Sequence, residues 1–336
     1  MMKAYYKALV VAALVVCMAF GMTGCGSEPL VGAEVVATVG EKEMTLGEAN
    51  FLLRYQQVQT ETYYESMLGP GIYEMDLYGT GSNYGTDFKA DVLAQMQEYY
   101  VLEEKAADYG IALTDEEKTA IADAAKAFVE ANTEDTVEQM TADQATVERV
   151  LTLMTIRSKV AVAVKAEAEI TVTDEDAAQR GFSYITISKG SGETAMTEEE
   201  IQANKDKLTA VIASVESGNT IEGAAVEQGL TAYTGNYGVG TDTYYDAALI
   251  EAMEAVSEGE ATEIVETEDQ LYLAQVTAEL DEEATANRKE TLVETEKTEY
   301  FNSVLEAWVA EYPMTVVDSV WEQVVFDRSY DIKPEY

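Results

Sequence analysis

Residues 181–277 change character in an order that few architectures accommodate: strand-forming, then helix-forming, then strand-forming again. Phe182-Ser183-Tyr184-Ile185-Thr186-Ile187 is short, β-branched and aromatic, which predicts a strand. Thr197-Glu198-Glu199-Glu200 forms a capping box ahead of Leu208, Val211, Ile212 and Val215, whose spacing of 0, 3, 4 and 7 puts them on one helical face. Gly218 is placed to stop that helix. A short helix over 221–228, a Gly-rich bend, a helix over 247–257 and two strands within 261–276, joined near Glu268-Asp269, complete the stretch. Together they predict a small α+β domain.

The closing run Gly259-Glu260-Ala261-Thr262-Glu263-Ile264-Val265-Glu266-Thr267, followed by Leu271-Tyr272-Leu273-Ala274-Gln275-Val276, resembles the end of parvulin-type prolyl isomerase domains. Gly218-Asn219-Thr220-Ile221 is similar to that family's entry into its second helix, and Gly235-Asn236-Tyr237-Gly238 to its glycine turn. The family carries two facing histidines and a nearby Cys or Asp. This chain has no histidine. Tyr184 and Tyr272 stand at the histidine positions, and the segment that would bring the Cys or Asp is shortened between Gln228 and Gly235. A phenol titrates near 10 and holds its proton at neutral pH, where an imidazole exchanges it. The resemblance therefore implies a kept scaffold with its usual polar constellation lost.

The first 24 residues read as an export segment: Lys3 and Lys7 precede an apolar run over 8–20, too short to span a bilayer. Met22-Thr23-Gly24-Cys25 resembles a bacterial lipobox, in which Cys25 becomes the lipidated N-terminus. The chain carries 63 acidic against 21 basic side chains, a formal charge of −42, and loss of the export segment removes Lys3 and Lys7 but no acid. Nucleic acid is thereby disfavoured as a partner, because phosphate binding needs clustered Lys and Arg. An acidic surface also avoids anionic lipid, so membrane attachment would run through Cys25. Cys17 lies inside the removed segment, which leaves one cysteine and no internal disulfide.

After a tether over 25–34, Val35-Val36-Ala37-Thr38-Val39 and Gly40-Glu41-Lys42-Glu43 predict a hairpin, and Thr45-Leu46-Gly47-Glu48 caps a helix reaching about residue 67. Helices are predicted over 87–109, 115–131 and 142–166, the last with Val147, Val150, Leu151, Met154 and Ala161 on one face. The hairpin running into a capped helix, the stretch 109–117 and the junction 172–176 resemble PrsA/SurA-type extracytoplasmic foldases. A polar helix over 281–311 carries the stripe Phe301, Val304, Leu305 and Trp308 and is ended by Pro313. In that family the C-terminal part returns to complete the N-terminal domain. The expected fold class is α+β: a mainly helical chaperone-like domain (35–180 plus 280–328, with a tail at 329–336) and an inserted parvulin-like domain (181–279).

Three acidic clusters, 115–117, 174–176 and 198–200, each follow a threonine at a helix start, where carboxylates satisfy free N–H groups and the helix dipole. None has calcium-loop spacing, so no metal or other cofactor is expected. Tyrosines alternate with glycines over 63–85, the composition of an adaptable binding loop or of a self-packed one. Tyr184, Tyr237, Met253 and Tyr272 are the candidate peptide-binding residues, on the alternative that they are ordinary core. The resemblances imply a foldase or chaperone lipid-anchored to the outer face of the bacterial cytoplasmic membrane. Its partners would be unfolded or partly folded exported proteins, and its parvulin-like domain would be degenerate for catalysis. An active peptidyl-prolyl cis-trans isomerase and a surface-assembly or binding lipoprotein are the alternatives.

Overall fold

A computed structural model describes residues 30–68 and 71–333. The export segment and the lipidation position Cys25 lie outside the described residues. In chain order the elements are β1 (Val35–Val39), β2 (Lys42–Thr45), α1 (Leu46–Leu68), α2 (Tyr84–Lys105), α3 (Asp115–Ala131), α4 (Glu134–Gln139) and α5 (Gln144–Glu167). Then come β3 (Gln179–Ser188), α6 (Glu198–Glu216), α7 (Ile221–Glu227), β4 (Ala232–Gly238), α8 (Ala247–Glu254), β5 (Val265–Glu266) and β6 (Gln270–Ala278). Last are α9 (Glu282–Glu311), β7 (Met314–Val316) and α10 (Asp318–Trp321). The fold class is α+β, with helices around two small antiparallel sheets.

The chain divides into two compact units, residues 30–168 with 299–333 and residues 169–298 among those described. In the first, α1 begins as its capping pattern requires: Glu48 Oε2 accepts from Thr45 N at 2.8 Å, and Thr45 Oγ1 accepts from Glu48 N at 3.3 Å. At α3 the box between Thr114 and Glu117 is complete. Val147, Val150 and Leu151 of α5 are buried as their spacing predicts, against Leu53, Met96 and Phe128. The predicted hairpin gains a third strand, because β7 pairs with β1 in the order β2-β1-β7. A two-stranded hairpin is marginal alone, so this pairing stabilises both chain ends.

The same unit encloses a polar network. Arg149 donates from Nε to Glu48 Oε1 at 3.0 Å and from its two terminal nitrogens to both oxygens of Glu103. Tyr100 Oη donates to Glu48 Oε2 at 2.8 Å, and Lys42 Nζ reaches Glu103 Oε2 at 3.2 Å. Burial pushes the Glu103 carboxyl up, but Arg149 and Lys42 more than offset it and leave it below the usual carboxylate range. Burial and the neighbouring Glu48 carboxylate both push the Tyr100 phenol upward, so it holds its proton.

The second unit is built on one sheet, in the order β4-β3-β6-β5. Strand β4 lies where the sequence predicted a Gly-rich bend. Gly235 is the reason: it pairs with Phe182, and a side chain there would meet the Phe182 ring and the Tyr245 hydroxyl. Helices α6 and α7 cover one face, packing Leu208, Val211 and Ile221 on Ile185, Leu271 and Leu273. Gly218, at φ +96, ends the α6 segment as the sequence predicts. Helix α8 covers part of the opposite face.

Candidate functional site

Strand alternation decides which side chains share that opposite face. Phe182 and Tyr184 of β3 point toward α8 and belong with Leu249 and Met253, whereas Ile185 and Ile187 belong with α6 and α7. Register then sets the neighbours: Tyr184 lies beside Tyr233 of β4 and Ala274 of β6, and Thr186 lies beside Tyr272. Tyr245, just before α8, closes the group from above the sheet. Its ring stands edge-on to Phe182 at 5.0 Å and to Tyr184 at 6.0 Å, while Tyr184 and Tyr233 are 5.7 Å apart. These separations suit attractive aromatic contact.

The four candidate residues separate by depth. Tyr184 and Tyr272 are half-buried and reach the surface. Tyr237 is 2% exposed and Met253 is fully buried, so a ligand could touch neither without displacing their neighbours. Tyr237 has a different task. Arg180 Nη1 donates to its hydroxyl at 2.8 Å and to Met253 O at 3.1 Å, and Nη2 donates to Val256 O at 3.0 Å. This guanidinium adds to the bonds on carbonyls at and just beyond the end of α8 and holds that helix on the sheet. Leu249 and Met253 are the core beneath it.

Tyr233, half-exposed, and Tyr245 complete the accessible face and did not emerge as candidates from the sequence. A signal for Tyr233 was present: Tyr233, Gly235 and Tyr237 alternate with polar residues at the strand period. Tyr245 comes to the site only through the chain reversal before α8, which no local period encodes.

Burial raises the Tyr272 phenol, and the carboxylates of Asp246 and Asp269 add to it. Burial also raises Tyr245, with Tyr184 adding and the Asn236 amide opposing. Both are neutral hydrogen-bond donors at physiological pH. The face can thus stack against apolar and aromatic groups and donate to a carbonyl, but it has no group that exchanges a proton near pH 7. Among the described residues no cluster of three or more potential metal ligands occurs.

Gly235→Ala tests the geometry. An added Cβ would lie 2.5 Å from the Tyr245 hydroxyl and 3.0 Å from the Phe182 ring. Overpacking of this kind should cost about 1–3 kcal/mol in the urea midpoint. Gly223→Ala, in α7 with only the Thr220 hydroxyl at 3.6 Å, should be neutral or stabilise by up to about 1 kcal/mol. Equal effects at the two positions would refute the packing described around Tyr245.

No protein-family model and no curated protein matches the sequence. Several solved structures do. The foldase protein PrsA of Lactococcus lactis aligns at 11% identity and TM-score 0.38, covering 86% of this chain and 98% of that one. PrsA of Streptococcus pneumoniae aligns at 15% identity and TM-score 0.34, covering 75% and 98%. A SurA-like chaperone of Campylobacter jejuni aligns at 9% identity and TM-score 0.30, covering 84% and 99%.

Proposed function

We propose that the chain is an extracytoplasmic chaperone of the foldase type. It would be held at the outer face of the cytoplasmic membrane by a lipid on Cys25 and would bind exported proteins before they fold. The tyrosine face of the second unit supports this most directly. Tyr184, Tyr233 and Tyr272 reach solvent on one face of the sheet, with the Tyr245 ring packed beside them and its hydroxyl turned in toward Gly235, while α6 and α7 pack on the other face. Tyrosine gives large amphipathic contact area at low entropic cost, which suits segments of varied sequence. The motif resemblance puts Tyr184 and Tyr272 at the positions of the family's histidines, so a site kept for binding and lost for proton relay fits both observations.

The test uses the chain from Cys25 onward. It should suppress aggregation of a proline-free unfolded client, and Tyr184→Ala, Tyr245→Ala and Tyr272→Ala combined should remove most of that activity while circular dichroism stays unchanged. An Xaa-Pro peptide followed by NMR exchange should isomerise at the uncatalysed rate, set by the ~20 kcal/mol amide barrier. Catalysis abolished by Tyr272→Ala would instead assign an active isomerase. Neither activity, with one protein co-purifying, would assign a dedicated assembly factor.

A further inference from the structure

In the first unit, residues 325–333 follow α10 without forming a helix or strand. Residues 325, 326 and 328–333 make no main-chain hydrogen bond to the main chain of any described residue. Buried backbone groups are ordinarily satisfied by secondary structure. Here side chains of the helical unit reach four main-chain groups of the segment. Arg54 Nη2 donates to Val325 O at 2.8 Å and Gln57 Nε2 to Arg328 O at 2.8 Å. Lys89 Nζ, one turn earlier, donates to Val324 O at 2.7 Å and Trp321 O at 2.8 Å. Asn132 accepts from Lys333 N at 2.9 Å and donates to Lys333 O at 3.5 Å, reading both polar groups of one residue.

The side chains of the segment fill apolar seats. Val324, Tyr330 and Ile332 are buried, and Phe326 stacks on Tyr73 at 3.9 Å and 5°. The Arg54 guanidinium lies over both Phe326 and Tyr330, at 5.6 and 5.3 Å. Beside the segment a cavity of about 200 Å³ remains, lined by Gln57, Glu61, Tyr73, Phe326, Arg328 and Ser329. It is below the roughly 300–1,000 Å³ of small-molecule sites and of a size to take one further side chain.

We infer that α1, α2 and α3 form a peptide groove whose resident is the chain's own C-terminal segment, and that an extended chain with two aromatic residues four positions apart can take its place. The contacts are those of peptide recognition: side-chain donors read main-chain carbonyls whatever the sequence, while pockets for alternate side chains supply preference. This second site is separate from the tyrosine face and does not depend on the function proposed for it.

The experiment uses the full chain from Cys25 and a fluorescent peptide with the sequence of residues 322–333. Hydrogen exchange should show the amides of 325–333 opening at denaturant-independent rates while the centres of α1, α2 and α5 open only on global unfolding. The peptide should bind saturably and raise the exchange of the resident segment. A peptide carrying Phe326→Ala and Tyr330→Ala should bind roughly a hundredfold or more weakly, because two aromatic anchors are lost. The inference is overturned if amides 325–333 exchange only through global unfolding, or if the two peptides bind equally or not at all.

Discussion

Arg54→Ala is expected to lower stability by about 3–4 kcal/mol, read from the urea midpoint at unchanged slope. Arg54 is 3% exposed and gives hydrogen bonds to Asn50 Oδ1 at 3.1 Å, Gln57 Oε1 at 2.8 Å and Val325 O at 2.8 Å. Bonds from a charged donor contribute about 1.5–3 kcal/mol each, and leaving their acceptors buried without partners adds to the loss. Against this stands the cost of burying the guanidinium, the largest influence on its own titration, which lowers its pKa. Arg54→Met separates the two, since it keeps an aliphatic stem of similar length and discards the charge together with its contact to the Phe326 and Tyr330 rings. If the bonds dominate, Met should lose nearly as much as Ala. A loss under about 1 kcal/mol for Met would mean that burial of the charge cancels them. Lysine should not rescue, because an ammonium cannot reproduce the planar fork that reaches three acceptors.

Arg149→Ala should be nearly as damaging, at about 3 kcal/mol. It leaves Glu48, with 7% of its side chain exposed, and Glu103, with 19%, without their main cation. Removing one partner of a buried pair costs about 3–5 kcal/mol, and the lower end applies because Arg149 itself is 31% exposed. The network also makes a pH prediction. The folded Glu103 carboxyl lies below its unfolded value near 4.3, so its contribution is fully present above that value and is lost as pH falls through the lower, folded one. In Arg149→Ala the carboxyl loses its main stabiliser, and acid sensitivity in this window should shrink with it. Acid denaturation curves of the two proteins that run parallel between pH 5 and 2 would remove Glu103 from the account.

Much of the local structure was written in short patterns. Thr114-Asp115-Glu116-Glu117 and Thr197-Glu198-Glu199-Glu200 specify helix starts because the threonine hydroxyl and the third carboxylate satisfy each other's open N–H groups within one turn. The stripe Leu208, Val211 and Val215 specified a buried face, and alternation along residues 182–187 specified that Tyr184 and Ile185 face opposite ways. These are interactions among neighbours in the chain, and a single sequence contains them whole.

Depth and partnership are not. Tyr184 and Tyr237 are both strand tyrosines, yet one reaches solvent and the other is sealed under Arg180 and α8. Nothing local distinguishes them. Tyr245 joins the face across the chain reversal, β4 forms because Gly235 lets it pass over Phe182, and β7 meets β1 from the far end of the sequence. Residues 325–333 gain their hydrogen bonds from Arg54, Gln57 and Asn132, which lie 271 positions away for the first two and 201 for the third. The sequence by itself determined the capped helix starts, strand faces, an acidic composition and a site without imidazole, since each depends on composition or on residues a turn apart, whereas the helix expected over 87–109 is shifted to Tyr84–Lys105. Tertiary structure alone decided which tyrosines are exposed and where the C-terminal segment lies, because both depend on pairing between segments whose sequences carry no record of each other.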